Sequence, residues 1–272
     1  MPWGRTRTAL VLRRTARALL DLVYPQECIA CGAGLPRPPA SFLCDDCRDR
    51  LPLIGPWQCA RCGDETGPFA EGASACRSCA ERPALPFRGA VAACRFEGPA
   101  REMVHRLKYS GDTRAVGWMA REMALRLSRA AWAAEVEWIV PVPLHWSRHL
   151  SRRFNQSQLL ADALGESSGK PCLPRLLRRT RRTPAQVTLD FAARERNVAG
   201  AFAARHPDRL KEKTILLVDD VMTTCATARE CARPPRSGRE ARLCGGLRAV
   251  GDEGRRPDAD GISARNGRSF PG

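Results

Sequence analysis

Eight cysteines arranged as four C-x-x-C pairs constrain this chain more strongly than any other feature of its sequence. All four pairs lie in the first third of the 272 residues: Cys28/Cys31, Cys44/Cys47, Cys59/Cys62 and Cys76/Cys79. Residues 32–43 separate the first two pairs, and residues 63–75 separate the last two. This spacing is typical of zinc ribbons, in which each C-x-x-C forms a tight knuckle and two knuckles complete a tetrahedral thiolate cage. We therefore predict a double zinc ribbon over residues 25–85 with two structural Zn²⁺ ions, built most simply from consecutive pairs.

Two other interpretations of the cysteine pairs fit less well. A secreted disulfide scaffold usually has an even number of cysteines and a signal peptide, whereas this chain has 13 cysteines and a basic N-terminal segment. A thioredoxin-like redox motif needs one pair in a βαβ setting, not four pairs in a stretch rich in proline and glycine. Few large apolar side chains lie in residues 25–85, so bound metal would supply much of the stability of this module.

The N-terminal segment argues against a membrane protein. Residues 9–23 (ALVLRRTARALLDLV) are apolar overall but are interrupted by Arg13, Arg14 and Arg17. An uninterrupted apolar run of roughly 20 residues is needed to cross a bilayer, and the sequence has none. We expect an amphipathic helix over residues 1–24 and a cytoplasmic protein without a membrane span.

The net charge is high but does not by itself identify a partner. The chain has 45 Lys+Arg and 29 Asp+Glu, which gives +16, and only four of the basic residues are lysines. Such arginine usage reflects the base composition of a coding sequence as much as selection for a ligand. We therefore draw no nucleic-acid function from the charge alone.

After about Phe87 the pattern changes from cysteine pairs to alternating strands and helices. The sequence predicts strands at 88–96, 138–142 and 214–218, and helices at 100–109, 113–131 and from Gln156. The run Thr214–Val218 is continuously apolar, as in a parallel strand covered on both faces. This alternation predicts an α/β domain over residues 86–231.

Two acids and a hydroxyl-rich loop follow the apolar run. Asp219 and Asp220 come directly after Val218, and Thr223, Thr224 and Thr227 precede or open a helix from Ala228. Loop amides and threonine hydroxyls suit a phosphate group, and adjacent carboxylates can accept hydrogen bonds from two vicinal ribose hydroxyls. A capping threonine and a solvated acid would explain one residue of each type, but not both acids and three threonines.

This strand, acid pair and loop resemble the signature of type I phosphoribosyltransferases. Together with the upstream cysteine pairs, the order of motifs resembles the ComF family, whose members are often linked to bacterial DNA uptake. Five further stretches carry the resemblance: LLDLVYPQECIACG, FEGPAREMVHRLKYSGD, VPVPLHWSRHLSRRFNQSQLLA, TPAQVTLDFAARERNVAGAF and the acid-pair loop. The resemblance implies an α/β fold in which the double zinc ribbon precedes a type I phosphoribosyltransferase-like parallel sheet with flanking helices.

The resemblance also implies roles for individual residues. Asp219 and Asp220 are expected to be the catalytic acids that hold phosphoribosyl pyrophosphate, with Mg²⁺ bridging its pyrophosphate and ribose oxygens. The substrate-binding residues are expected to be Val221, Met222, Thr223, Thr224, Cys225, Ala226, Thr227, Pro143, Leu144, His145 and Arg152. Arg194 and Asn197 are typical of the family, and we favour a role in fastening a loop over a catalytic role for them.

Three features depart from the family pattern. Cys225 and Arg153 each stand where the family has glycine, and a side chain at Cys225 crowds a loop that must approach phosphate. Residues 232–272 contain nine Arg, eight Gly and four Pro, and no further apolar strand is visible there. We therefore predict a disordered tail and a sheet that is incomplete at its C-terminal end, and we hypothesise that a shifted reading frame produced this tail.

Two classes of function follow from these observations. The first is a phosphoribosyltransferase whose acceptor the sequence does not name. The second is a catalytically impaired accessory protein that holds single-stranded DNA through its zinc ribbons and basic loops, alongside proteins of the DNA-uptake machinery. Nine basic residues between His145 and Arg182 favour the second class, but only Trp146 and Phe154 are available there to stack on bases.

Overall fold

The computed structural model describes residues 26–36, 41–67, 76–80, 85–145, 154–184, 191–210, 213–233 and 240–248. The amphipathic helix expected over residues 1–24 lies outside these ranges. None of the helices in the described ranges has the length and apolar character that crossing a membrane requires.

The two cysteine-rich modules repeat one local architecture. In each, a short antiparallel bridge flanks the first knuckle: Glu27 pairs with Gly34, and Gln58 pairs with Glu65. The second knuckle of each opens a short helix, α1 (Asp45–Asp49) and α2 (Arg77–Ala80). The repeat therefore extends beyond the cysteine spacing to backbone pairing.

A four-stranded parallel sheet forms the centre of the second domain. Its strands are β1 (Ala90–Arg95), β2 (Trp138–Pro141), β5 (Thr214–Met222) and β6 (Glu240–Arg248), in the spatial order β1-β6-β5-β2. A separate antiparallel pair consists of β3 (Leu177–Arg179) and β4 (Phe202–Ala204). The expected α/β class, with a parallel sheet and flanking helices, is confirmed.

Helices accompany the strands of this domain, and apolar periodicity predicts the three that lie between residues 98 and 168. They are α3 (Gly98–Tyr109), α4 (Val116–Ser128), α5 (Gln156–Ser168), α6 (Phe191–Val198) and α7 (Ala226–Ala232), with single 3-10 turns at Ala133–Glu135 and Pro207–Leu210. Helix α4 packs on β1 and on α5, and α5 packs on β2 and β5. Asn155 caps α5 by accepting a hydrogen bond from the Ser157 amide at 3.1 Å, and Gly169 ends it with φ 68°.

Strand β6 corrects the prediction made for the tail. We expected residues 232–272 to be disordered and the sheet to be incomplete, but Glu240–Arg248 lies between β1 and β5 and pairs in parallel with both. A strand in this position is stabilised by backbone hydrogen bonds on both of its edges. A search for apolar runs does not detect stabilisation by backbone hydrogen bonds. The glycines and arginines of this segment interrupt its apolar residues, so the sequence did not predict a strand there.

The chain between the two cysteine modules covers the other edge of β1. The Ile54 amide donates to the Ala93 carbonyl at 3.0 Å, and the Arg95 amide donates to Pro52 at 2.9 Å. The Gln58 side chain continues this ladder, since it donates to the Ala92 carbonyl at 3.0 Å and accepts from the Ala92 amide at 3.1 Å. The cysteine modules are thus joined to the sheet by backbone pairing as well as by side-chain packing.

Candidate functional site

The eight paired cysteines form two clusters, each made from consecutive pairs. One cluster contains Cys28, Cys31, Cys44 and Cys47, the other contains Cys59, Cys62, Cys76 and Cys79, and the sulfurs of each lie within 4.8 Å of one another. The Cys31 and Cys44 sulfurs are 3.7 Å apart, and the Cys62 and Cys76 sulfurs are 3.6 Å apart. Tetrahedral zinc with Zn–S bonds of about 2.3 Å requires sulfurs about 3.8 Å apart, so both clusters fit the metal.

Matching turns hold the first knuckle of each cluster. The Gly32 amide donates to the Cys28 carbonyl at 2.9 Å, and the Gly63 amide donates to the Cys59 carbonyl at 2.8 Å. Both glycines have positive φ, 76° and 73°, a conformation that a side chain disfavours. The glycine that follows each first knuckle is therefore required by the turn.

In each cluster the pKa of one thiol is lowered and the pKa of at least one other thiol is raised. A hydrogen bond from the Cys62 thiol, aided by the Cys76 amide, lowers the pKa of Cys59 to about 4, whereas burial raises the pKa of Cys79 to about 11. In the other cluster the pKa of Cys28 is lowered to about 6, because backbone hydrogen bonds outweigh its burial. Burial raises the pKa of Cys47 to about 12. Zinc binds thiolates, so metal binding would release the remaining thiol protons.

The acid pair lies within the last part of β5. Pairing between β5 and β6 continues to Met222, so Asp219 and Asp220 belong to the strand and do not follow it as we expected. The extra strand β6 is the reason for the extension. Asp220 is buried, and the Asp219 carboxylate accepts hydrogen bonds from the Ser157 hydroxyl at 3.0 Å and the Asp220 amide at 2.9 Å.

Lys108 on α3 supplies the counter-charge for the acid pair. Its ammonium nitrogen lies 2.9 Å from Asp220 Oδ2, and the two side chains are 19% and 7% exposed. Burial alone would raise the pKa of Asp220, but the charge and hydrogen bond of Lys108 lower it below the ordinary value. Asp220 is therefore an ion-paired carboxylate at neutral pH.

Asp219 has the opposite electrostatic environment. Burial, followed by the negative charge of Asp220, raises the pKa of Asp219 to about 7. At neutral pH Asp219 is therefore partly protonated, whereas Asp220 is ionised and paired with Lys108.

The loop after the acids has a strained turn at the position where the family has glycine. Cys225 has φ 59°, and it is the one residue other than glycine with positive φ in the described ranges. It is 6% exposed and directly precedes α7. Thr224 accepts a hydrogen bond from the Ala226 amide at 3.4 Å, so one threonine has the capping role that a structural interpretation requires.

The remaining predicted substrate residues that the structure describes lie at or just after the carboxyl ends of the paired strands β5 and β2. Val221, Met222, Thr223, Thr224, Cys225, Ala226 and Thr227 are contiguous with the acid pair. Pro143, Leu144 and His145 follow β2, whose extension pairs with β5 through a 2.9 Å bond from the Val142 amide to Val218. His145 is 7% exposed. Arg152, Arg148 and Arg153 lie outside the described residues.

A cavity of about 330 Å³ lies between α6 and α7. Its lining residues are Pro86, Glu195, Val198, Ala199, Ala226, Arg229, Glu230 and Arg233, and do not include the acid pair. Asn197, on α6, donates to the Pro184 carbonyl at 3.3 Å, which fits a role in fastening a loop.

Sequence reasoning missed Lys108, Gln156 and Ser157. All three lie in stretches that carry the family resemblance, but their side chains converge on the acids only in the folded chain. One available signal was the rarity of lysine: Lys108 is one of four lysines among 45 basic residues. Because lysine is so rare in this chain, its presence at position 108 indicates a specific contact, such as an ion pair with the acids.

Comparison with known proteins agrees with both parts of the chain. Residues 19–80 match the family model described as a double zinc ribbon domain. "DNA utilization protein YhgH" of Salmonella typhimurium is 31% identical over 178 residues, which are 64% of this chain and 76% of that protein. "Competence protein F" of Haemophilus influenzae is 27% identical over 215 residues, which are 76% of this chain and 89% of that protein. Among solved structures, adenine phosphoribosyltransferase from Leishmania tarentolae matches 52% of this chain and 73% of its own, with 14% identity and a TM-score of 0.31.

Proposed function

The chain belongs to the ComF family, and from that premise we propose that it binds phosphoribosyl pyrophosphate at the acid pair and transfers the phosphoribosyl group. The observation that best supports this proposal is the convergence of Lys108, Ser157 and Gln156 on two adjacent carboxylates, one of them buried, at the end of a central parallel strand. Ligands of open α/β sheets bind at this end of the strands.

Different residues bind the sugar and the phosphate of the ligand. Asp219 and Asp220 accept hydrogen bonds from the ribose hydroxyls, while the amides of residues 221–227 and the threonine hydroxyls hold the phosphate. The oxygen ligands of the acid pair suit a hard cation, and Mg²⁺ arriving with the pyrophosphate would neutralise the charge of the leaving group. Lys108 keeps Asp220 ionised before the ligand arrives.

Calorimetric titration of phosphoribosyl pyrophosphate with Mg²⁺ tests this assignment. We expect Asp219→Ala to weaken binding at least about tenfold, because the acids accept hydrogen bonds from the sugar. The matched control is Asp208→Asn, an exposed acid in the turn Pro207–Leu210. Unchanged affinity in Asp219→Ala would show that phosphoribosyl pyrophosphate does not bind at the acid pair and would contradict the proposal.

Single-stranded DNA is a second candidate ligand, supported by exposed arginines around β3. Arg175, Arg178, Arg181 and Arg182 are all exposed, within eight residues of chain. The names of two related proteins refer to DNA utilisation and to competence, which supports a DNA ligand and a role beside the DNA-uptake machinery of a bacterial cytoplasm as part of this proposal. Phosphate contacts by arginine make such binding strongly salt-dependent.

Fluorescence anisotropy with a labelled oligonucleotide tests the second candidate. We expect the double variant Arg178→Gln/Arg182→Gln to bind more weakly and to reduce the slope of log affinity against log salt by about 1.4, since each phosphate contact on a single strand contributes about 0.7. Arg121→Gln, an exposed arginine on α4, is the matched control. Equal slopes in all three proteins would exclude the β3 arginines from DNA binding.

A further inference from the structure

The amide oxygen of Gln156 is a buried acceptor without a donor. Gln156 is the first residue of α5 and is 3% exposed. Its Oε1 atom is buried, and no donor among the described residues lies within hydrogen-bonding reach. Buried polar side-chain atoms are almost always paired, so an unpaired one requires an explanation.

Neighbouring contacts fix the orientation of this amide. Asn155 anchors the start of α5, since its side chain donates to the Val142 carbonyl at 3.0 Å and accepts from the Ser157 amide at 3.1 Å. The Gln156 side chain also helps to lower the pKa of Asp220, which an amide does through its NH₂ group. An ionised carboxylate only accepts, so the NH₂ group of Gln156 faces Asp220 and Oε1 is the opposite end of the amide.

The donor that Oε1 lacks is a neutral one. Lys108 already pairs with Asp220 Oδ2 at 2.9 Å, and Ser157 donates its hydroxyl to Asp219. A hydroxyl that binds beside the two acids would pair with Oε1 without adding charge. Sugar hydroxyls have this chemistry, and removing one from a ligand would leave Oε1 unpaired in the complex.

We propose that Gln156 is a specificity-determining residue, whose Oε1 accepts a hydrogen bond from one ribose hydroxyl and selects ribose over the corresponding deoxyribose. The inference rests on the proposed pentose site and assigns it an additional contact. The two carboxylates and this amide together present acceptors on three side chains, which suits a vicinal diol.

The test is a thermodynamic cycle between variants and deoxy sugars. Affinities of the full-length protein for ribose 5-phosphate, 2-deoxyribose 5-phosphate and 3-deoxyribose 5-phosphate are measured by calorimetry. The variants are Gln156→Met, which removes the acceptor, and Gln156→Glu, which keeps acceptor oxygens at this position but removes the NH₂ donor. Gln158→Met, two residues further along α5, is the matched control.

One of the two ribose hydroxyls is expected to donate to Oε1 of Gln156. We expect removal of that hydroxyl from the sugar to weaken binding about tenfold in the wild type and hardly at all in Gln156→Met. Gln156→Glu and Gln158→Met are expected to retain the discrimination, although Gln156→Glu binds every sugar more weakly. Equal weakening of all three sugars in Gln156→Met, or no weakening, overturns the assignment of Gln156. If the wild type binds no pentose phosphate, the proposed function itself fails and this inference fails with it.

Discussion

Cys225 has a left-handed backbone conformation, φ 59° and ψ 14°, at the turn that joins β5 to α7. For residues with a Cβ this conformation costs roughly 1–2 kcal/mol relative to right-handed backbone, and glycine avoids the cost. We expect Cys225→Gly to unfold with a free energy about 1 kcal/mol higher than Cys225→Ala, because both variants lose the thiol and only glycine relieves the strain. Urea denaturation measures the difference. Equal stabilities would mean that the turn is not strained by its side chain.

The raised pKa of Asp219 predicts a specific dependence of stability on pH. An unperturbed aspartate titrates near pH 4, whereas the pKa of Asp219 in the folded chain is about 7. Between these values the folded state binds more protons than the unfolded state, so the stability contributed by Asp219 is lost as pH rises from about 4 through about 7. We expect Asp219→Asn to lack this loss, so that its unfolding free energy rises relative to wild type across this range. Urea midpoints at successive pH values test this, with Asp208→Asn as control; parallel curves for wild type and Asp219→Asn would contradict it.

At the scale of secondary structure, elements with their own apolar pattern were predictable and the element that depends on its neighbours was not. The periodicity of α3, α4 and α5 and the apolar run of β5 placed those elements to within a few residues. Strand β6 has no comparable pattern, because its stability comes from pairing with β1 and β5. The same distinction applies to the site: spacing located the acids and the cysteines, whereas Lys108 and Gln156 reach Asp220 only through the packing of two helices.

Truncated chains test how much strand β6 contributes to the stability of the folded protein, separately from the residues that follow it. We expect a chain that ends after Arg233 to lose cooperative unfolding and to aggregate, because β1 and β5 would each have an unpaired edge. A chain that ends after Arg248 keeps every backbone pair of β6 and is expected to unfold cooperatively. Circular dichroism during thermal unfolding and size-exclusion chromatography report the two outcomes. A cooperative, monodisperse protein that ends after Arg233 would show that β6 is dispensable.

At the scale of the whole molecule, the first cysteine module and the parallel sheet share one hydrophobic core. Ile29, Leu35 and Leu43 belong to the same buried cluster as Met103 and Met119 of the helices. The four cysteines of the second module form a separate, small buried cluster, against which Leu85 packs. Loss of the two metals is therefore expected to have unequal consequences for the α/β domain.

This asymmetry predicts how two matched cysteine variants differ. Cys31→Ser and Cys76→Ser each remove one ligand that is not fully buried, and each is expected to lower the zinc content from close to two per chain to close to one. We expect Cys31→Ser to reduce the unfolding free energy of the α/β domain by at least about 3 kcal/mol, because loss of the first metal also releases the apolar side chains that it anchors in the shared core. Cys76→Ser is expected to have a smaller effect on that domain. Urea unfolding followed by far-UV circular dichroism, which reports the helices and strands of the α/β domain, makes the comparison. Equal midpoints at equal zinc content would show that the two modules are coupled to the sheet to the same degree.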